Sequence, residues 1–318
     1  MVVHIGTYGL PSPPSPAIGT VGMFDGVHLG HQKVIDAASS WARAQGVRSV
    51  VLTFDRHPLS VLSPSAPQLL TPLGHKLKLI ERLGVDDVVV LNFTRELASV
   101  PPVDFIRDIL ENKLGLVGLV MGFDNGIGHG KEGTYEALVR RREAFELSLR
   151  QVEPYLLDGK PVSTTRIRNA LSQGRLDDVA RMLCRPFSIY GTVIRGDARG
   201  RTLGFPTANV DTNHEMTPPE GVYAGTVTIE GDLHPALANI GRRPTFEPTA
   251  EGPTVEIHID GFTGDLYGRH IEFRFLSKLR EERTFESREA LVEQIRRDLA
   301  RLRRIAPAGC AENCPEIS

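Results

Sequence analysis

Gly22-Met23-Phe24-Asp25-Gly26-Val27-His28-Leu29-Gly30-His31 is the stretch on which the reading of the fold turns. Before it, Ala17 to Met23 reads as a strand; after it, Gly30 through Gln45 carries the apolar spacing of a helix. The segment is therefore a strand–turn–helix junction. Its glycines let backbone N–H groups approach an anion, and the helix N-terminus adds positive potential. His28 and His31, three apart, share one face of that helix. Two imidazoles aimed at one spot can donate hydrogen bonds to phosphate oxygens as charge develops. A pair of surface histidines beside a capped helix is the plainer reading, and it leaves the preceding strand and glycines without a purpose.

Working outward, strand and helix patterns keep alternating. Ser49 to Phe54 is a buried-strand run, Lys76 to Leu83 a helix, Asp87 to Leu91 a strand, Asp104 to Leu114 a helix and Leu116 to Met121 a strand. Near-continuous apolar strands between helices predict a parallel sheet covered on both faces, an α/β domain of Rossmann-like type. Beyond about residue 186 the rhythm shortens. Ser188–Arg195, Gly221–Glu230, His234–Ile240, Thr254–Ile259 and His270–Phe275 alternate between Gly and Pro turns, which predicts an antiparallel β-barrel. The chain then closes with a helix whose Leu291, Ile295, Leu299 and Leu302 share an apolar face; the arginines around it, Arg296 to Arg304, read as a solvated face.

With 318 residues, two domains are expected: 1–185 and 186–305, followed by a flexible polar tail at 306–318. A 41% hydrophobic and 24% charged composition with net charge −2 lacks the basic footprint of a nucleic-acid binder. No apolar run is long enough for a bilayer, and the first ten residues do not read as a secretory signal, so a cytoplasmic protein without a membrane partner is expected. Cys184, Cys310 and Cys314 do not make a disulfide framework.

Two further segments carry chemistry. Pro161-Val162-Ser163-Thr164-Thr165-Arg166-Ile167-Arg168 offers hydroxyls to cap a helix and contact phosphate, with two arginines on its first turn. Together with His28 and His31 it matches the bipartite signature of nucleotidyltransferases related to the HIGH-type synthetases. The second segment runs from Gly191-Thr192-Val193-Ile194-Arg195-Gly196 into Gly200-Arg201-Thr202-Leu203-Gly204-Phe205-Pro206-Thr207-Ala208-Asn209. It lacks the Gly-Lys-Ser/Thr ending of a Walker loop. Its glycines and Arg201 can still fold over phosphates, and Thr207 and Asn209, two apart on an extended segment, can present oxygens together to Mg²⁺. Glu256 stands in Val255-Glu256-Ile257-His258-Ile259 either as a solvent-facing carboxylate or as a general base; spacing alone leaves both open.

From about residue 17 to 305 the chain resembles the bacterial bifunctional riboflavin kinase/FAD synthetase family. The likeness rests on Gly22 to His31, Thr53-Phe54 with His57-Pro58, Gly122 with Asp124, and Ser163 to Arg168 in the first half. In the second half it rests on Gly191 to Asn209, Gly221 to Ala224, Asn239-Ile240-Gly241 with Pro244-Thr245-Phe246, Val255-Glu256, and Arg280 with Glu282 and Phe285. The resemblance implies two consecutive reactions. The barrel domain would pass the γ-phosphoryl of ATP to riboflavin, giving FMN, with Gly196, Arg201, Gly204, Thr207 and Asn209 around Mg²⁺–ATP and Glu256 as base. The N-terminal domain would join FMN to AMP, giving FAD and pyrophosphate. There, Gly22, Phe24, Asp25, His28, Gly30, His31, Ser163, Thr164 and Arg168 would handle the ATP phosphates. Asp124 would lie near the adenosine, and Phe54 and Pro58 near the flavin. Its partners would be riboflavin, FMN and ATP, and a homo-oligomer is compatible with the family. The chain departs from the family pattern at Arg56, at Asn125 and Ile127 where aromatic residues are usual, and at Cys184 where glycine is frequent and a buried structural residue is expected.

Overall fold

The computed structural model describes residues 1–6, 14–63, 66–196, 203–212, 216–241 and 253–306. Arg201, Pro244-Thr245-Phe246, Cys310, Cys314 and the tail expected at 306–318, beyond its first residue, lie outside the described residues. Internal contacts divide the chain into two compact units: Met1–Leu69 with Leu73–Thr164, and Leu70–Pro72 with the chain from Thr165 onward.

In the first unit β1 (Val2–Ile5), β2 (Ala17–Val21), β3 (Arg48–Phe54), β4 (Asp87–Leu91), β5 (Leu116–Gly122) and β8 (Ser148–Val152) form one sheet in the order β1-β4-β3-β2-β5-β8. Every neighbouring pair is parallel. The alternation of side chains sorts the apolar runs onto two faces. Ala17, Val21, Val50, Leu52, Val89 and Leu91 join one cluster with Phe105, Ile106 and Leu110. Val51, Val88 and Val90 join another with Ile35, Leu79 and Ile80, and Ile18 packs with Val34, Ala38 and Trp41. A strand buried on both sides has no polar positions to alternate with, which is why these strands read as continuous apolar runs. The edge strands β1 and β8, absent from the sequence-based expectation, lack that signature: Val2 and Ile5 are exposed, and no residue of β8 is fully buried.

Phe105–Glu111 is a π-helix rather than the expected α-helix. Its buried Phe105 and Leu110 lie five apart, and the Asn112 and Leu114 N–H groups donate to the Arg107 and Ile109 carbonyls five residues back. Two small ladders, β6 (Gly126–Ile127) with β7 (Gly133–Thr134) and β9 (Leu156–Leu157) with β10 (Lys160–Pro161), complete the unit.

The second unit holds a closed six-stranded barrel, β11 (Ser188–Ile194), β12 (Ala208–Asp211), β13 (Gly221–Ile229), β14 (Asp232–Gly241), β15 (Thr254–Ile259) and β16 (His270–Arg280), in the order β11-β12-β15-β14-β13-β16. All its ladders are antiparallel. The closing helix, Arg288–Ile305, buries Leu299 and Leu302 against Val222, Leu237 and Leu279. Its arginines from Arg296 to Arg304 are exposed, as expected of a solvated face, and two of them also make contacts: Arg303 pairs with Asp260 at 2.7 Å, and Arg301 donates to the Leu279 carbonyl at 3.0 Å. Cys184 is half-buried rather than buried and ends the helix Leu176–Leu183 at φ 57°. A left-handed helix terminus is where glycine is least strained, which explains the family's preference there.

Candidate functional site

The first group of predicted residues gathers at the C-terminal edge of the parallel sheet, where open α/β sheets bind ligands. β2, at the centre of the sheet, runs into Gly22 and the turn through Val27; its neighbours β3 and β5 end at Phe54 and at Gly122, two residues before Asp124. Phe24, Gly26 and Val27 all adopt positive φ, at 50°, 82° and 41°. This tight path buries Asp25 and delivers His28 as the N-cap of α1 (Leu29–Gln45). His28 Nδ1 accepts the His31 N–H at 3.3 Å, so in neutral His28 the ring proton sits on Nε2.

The imidazoles of His28 and His31 stack, with centroids 3.6 Å apart and planes 17° apart, and the Phe24 ring meets His31 edge-on at 5.4 Å. Gly30 permits the stack, because a Cβ there would press on His28 Nδ1 at 3.2 Å. Thr164 Oγ1 donates to the Asp25 carbonyl at 3.3 Å, joining the Ser163-Thr164 segment to the turn. Arg168 stands four residues further along the helix that Thr164 begins. Pro58 opens the short helix Pro58–Leu62, which His57 caps by accepting the Leu59 N–H at 3.1 Å. Asp124 is exposed.

Two of the departures from the family pattern, Asn125 and Ile127, have structural uses. Asn125 Nδ2 donates to the Val21 carbonyl at 2.6 Å, tying the segment after β5 to the end of β2. Ile127 is a core residue beside Phe105 and Leu138.

Sequence reasoning missed Lys76. It lies on the helix Leu73–Glu81, is 1% exposed, and donates from Nζ to the carbonyls of Met23 at 3.1 Å and Phe54 at 3.0 Å. The signal was present: Lys76 falls between Leu73 and Ile80 at helical spacing, inside the buried stripe, while Lys78 points outward. Burial lowers its pKa to about 8, against the pull of Asp25 and Asp55. His31 is held well below the ordinary histidine value, first by burial, then by the charges of His28 and Lys76. In an NMR pH titration of the free protein, the His31 ring is therefore expected to titrate well below pH 6.5. Removing the His28 imidazole should raise that midpoint; an unchanged midpoint would show that burial and Lys76 set it without His28.

The second group lies on the barrel. The register places Glu256 of β15 directly across from Asn209 of β12 on one side and Asn239 of β14 on the other, so all three side chains share one face. A cavity of about 330 Å³ is lined by Glu256, Asn239, Leu203, Phe205, Leu237 and Leu291 among others. A second, of about 580 Å³, runs past Gly196, Asn209, Phe262 and Tyr267. Thr207 lines both. Arg280, at the end of β16 and also on the first cavity, donates from Nε to buried Asp298 at 2.9 Å. Gly204 makes the exposed turn before Thr207 at φ 84°. The structure thus gathers Thr207, Asn209 and Glu256 and adds Asn239, which the sequence offered only within a motif. The strand Ala208–Asp211, unassigned from sequence, is what fixes this register.

Thr207 and Asn209 are neutral oxygen donors of the kind that suits a hard divalent cation arriving with phosphate oxygens of its own. Among the described residues no cluster of three or more His, Cys, Asp or Glu forms a separate metal cage.

Comparison with known proteins follows the same division. A family model described as FAD synthetase matches residues 11–166, and one described as riboflavin kinase matches residues 183–306. The bifunctional riboflavin kinase/FMN adenylyltransferase of Bacillus subtilis strain 168 is 37% identical over 286 residues, covering 89% of this chain and 90% of the relative. That of Escherichia coli K12 is 35% identical over 289 residues, covering 90% and 92%. A crystal structure titled as a macrolide-efflux protein from Streptococcus pneumoniae superposes with a TM-score of 0.82 at 29% identity, covering 96% of this chain and all of that one. Its title speaks of efflux; among the described residues here, no helix is long and apolar enough to cross a membrane.

Proposed function

The chain belongs to the bifunctional riboflavin kinase/FMN adenylyltransferase family, making FMN from riboflavin and then FAD from FMN, and we propose where on the chain each step runs. Along the chain the domain boundary falls near Arg185-Pro186, with the adenylyltransferase at 1–185 and the kinase at 186–305. Riboflavin, FMN and ATP are its small-molecule partners, and the enzyme works in the cytoplasm without nucleic acid or membrane.

One observation carries the kinase assignment: a carboxylate, Glu256, flanked across the ladder by Asn209 and Asn239, on the wall of a cavity that is apolar on the side of Leu203, Phe205, Leu237 and Leu291 and carries Arg280, Glu282 and Arg283 as well. The flavin occupies that cavity, with Leu203, Phe205, Leu237 and Leu291 against its rings. ATP takes the neighbouring cavity, and Thr207, common to both, marks where the γ-phosphate meets the hydroxyl. Glu256 takes the proton of the 5′-hydroxyl as that oxygen attacks the γ-phosphorus and the bond to ADP breaks. Thr207 and Asn209 would hold Mg²⁺ together with the ATP phosphates, and the cation supplies neutralisation of the charge that develops on them.

In the parallel-sheet domain an FMN phosphate oxygen attacks the α-phosphorus of ATP and the bond to pyrophosphate breaks. The nucleophile is already an anion, so no base is needed. His28, His31, Ser163, Thr164 and Arg168 stabilise the phosphates within the cradle of Gly22, Phe24, Asp25 and Gly30. Asp124 receives the adenosine, and Phe54 and Pro58 lie beside the flavin.

Purified protein with riboflavin, ATP and Mg²⁺ should yield FMN first and FAD second on chromatography; absence of both products would sink the reading. Gly196 provides a finer check. A Cβ at this position would clash with the Asn209 amide nitrogen and come within 2.8 Å of its Oδ1. Gly196→Ala is therefore expected to displace Asn209 and raise the KM for ATP in FMN formation by about 10-fold or more. FAD formation from supplied FMN should not change. An unaltered KM would remove Asn209 from the ATP site.

A further inference from the structure

A buried lysine is an expensive choice for a core. The space that Lys76 fills beneath Met23 and Phe54 would accept an unbranched apolar side chain such as methionine, sparing the desolvation of an ammonium. Its surroundings show what the charge is used for. The two carbonyls that receive Nζ belong to the segments leaving β2 and β3. The Met23 carbonyl is shared with Thr53 Oγ1 at 3.3 Å. The residue after Met23 is Phe24, with its positive φ and its edge against His31; the next is buried Asp25. The residue after Phe54 is Asp55, whose Oδ1 accepts the Phe93 N–H at 2.9 Å and whose Oδ2 pairs with Arg56 at 3.0 Å. One ammonium thus holds the exits of two adjacent strands on the sheet edge where both histidines stand.

Resting on the assignment of adenylylation to this domain, we propose that Lys76 is a positioning residue for adenylyl transfer: it locks the Met23–Asp25 turn to the end of β3 and supplies fixed positive charge behind the bound triphosphate. The charge matters as well as the hydrogen bonds. A cation that cannot move needs no rearrangement as negative charge builds on the transferring phosphate, and low-dielectric surroundings enlarge its effect. Around His31, the charged groups in play are His28, stacked on it, and Lys76, whose own charged form Asp25 and Asp55 favour.

The chain supplies its own control. Trp41 is its single tryptophan and packs in the parallel-sheet unit, under the Arg150 guanidinium at 3.9 Å and against Gly118, so its emission reports the folding of that unit alone. In the full-length protein, Lys76→Met should keep the folded Trp41 emission. The kcat for FAD formation from FMN and ATP should fall about 10²-fold, while the KM for ATP rises by a smaller factor. The His31 midpoint should rise, because one of the charges lowering it has gone. Lys76→Gln keeps N–H donors without the charge; it should lose less than the methionine variant yet stay below wild type.

A folded Lys76→Met protein with wild-type kcat would overturn the proposal. So would a methionine variant that unfolds beside a folded glutamine variant working at the wild-type rate, since that pairing describes a purely structural residue. Should wild-type protein with folded Trp41 emission form no FAD from FMN and ATP, the placement of adenylylation would fail first and this inference with it.

Discussion

Replacing Glu256 with glutamine is expected to slow FMN formation by about 10²- to 10⁴-fold, while riboflavin and ATP still bind. The substitution is isosteric and keeps an oxygen and gains an N–H facing Asn209 and Asn239, so the barrel ladder stays intact. What it removes is the ability to accept the proton of the hydroxyl as the new P–O bond forms. The loss should appear in kcat and only weakly in the affinities, the pattern of an interaction made in the transition state. Fluorescence titration of riboflavin beside a kinase assay measures both. FAD formation from supplied FMN checks that the rest of the chain is sound. If the glutamine enzyme makes FMN at an undiminished rate, Glu256 is a wall of the cavity and the base lies elsewhere.

The second large effect is expected at His28. An alanine there would confuse two roles, because the side chain caps α1 and is also the one proposed to bind phosphate. Asparagine separates them: it is among the better N-caps and can accept the His31 N–H, so the helix should retain most of the roughly 1 kcal/mol such a cap contributes. It carries no imidazole. FAD formation by His28→Asn should fall about 10²- to 10³-fold, as for loss of one preorganised donor at a developing anion. FMN formation should proceed as in wild type. Equal losses in both reactions would point to a general defect; no loss would leave the phosphates in the care of the Ser163–Arg168 segment.

Much of this arrangement could be read before any coordinates, for reasons that differ by element. The central strands β2 to β5 were legible because burial on both faces leaves an unbroken apolar run, whereas edge strands β1 and β8 carry no such mark. The π-turns of Phe105–Glu111 have an apolar spacing that a helix search accepts without showing the wider hydrogen-bond step. The histidine pair was legible from its position after strand and glycine. Its stacking, the N-cap bond and the depressed His31 titration all come from packing that one-dimensional spacing does not encode. Lys76 was passed over because lysine is ordinarily solvated, so a lysine in an apolar stripe reads as an interruption rather than a component. Glu256 was the opposite case. Alternation in Val255 to Ile259 named the residue, and only the pairing of β15 with β12 and β14 decided what it faces.

The two ATP sites proposed for this one chain are built from different materials: the hydroxyl and amide of Thr207 and Asn209 on the barrel, and a stacked imidazole pair backed by a buried ammonium on the sheet. Selective inhibition follows from that contrast. A metal-chelating triphosphate mimic should be recognised by the barrel's neutral ligands, whereas an uncomplexed anion shaped like a transferring α-phosphate should favour the imidazole pair with the ammonium behind it. Depleting a cell of FAD alone, or of FMN and FAD together, then becomes a matter of which surrogate is supplied.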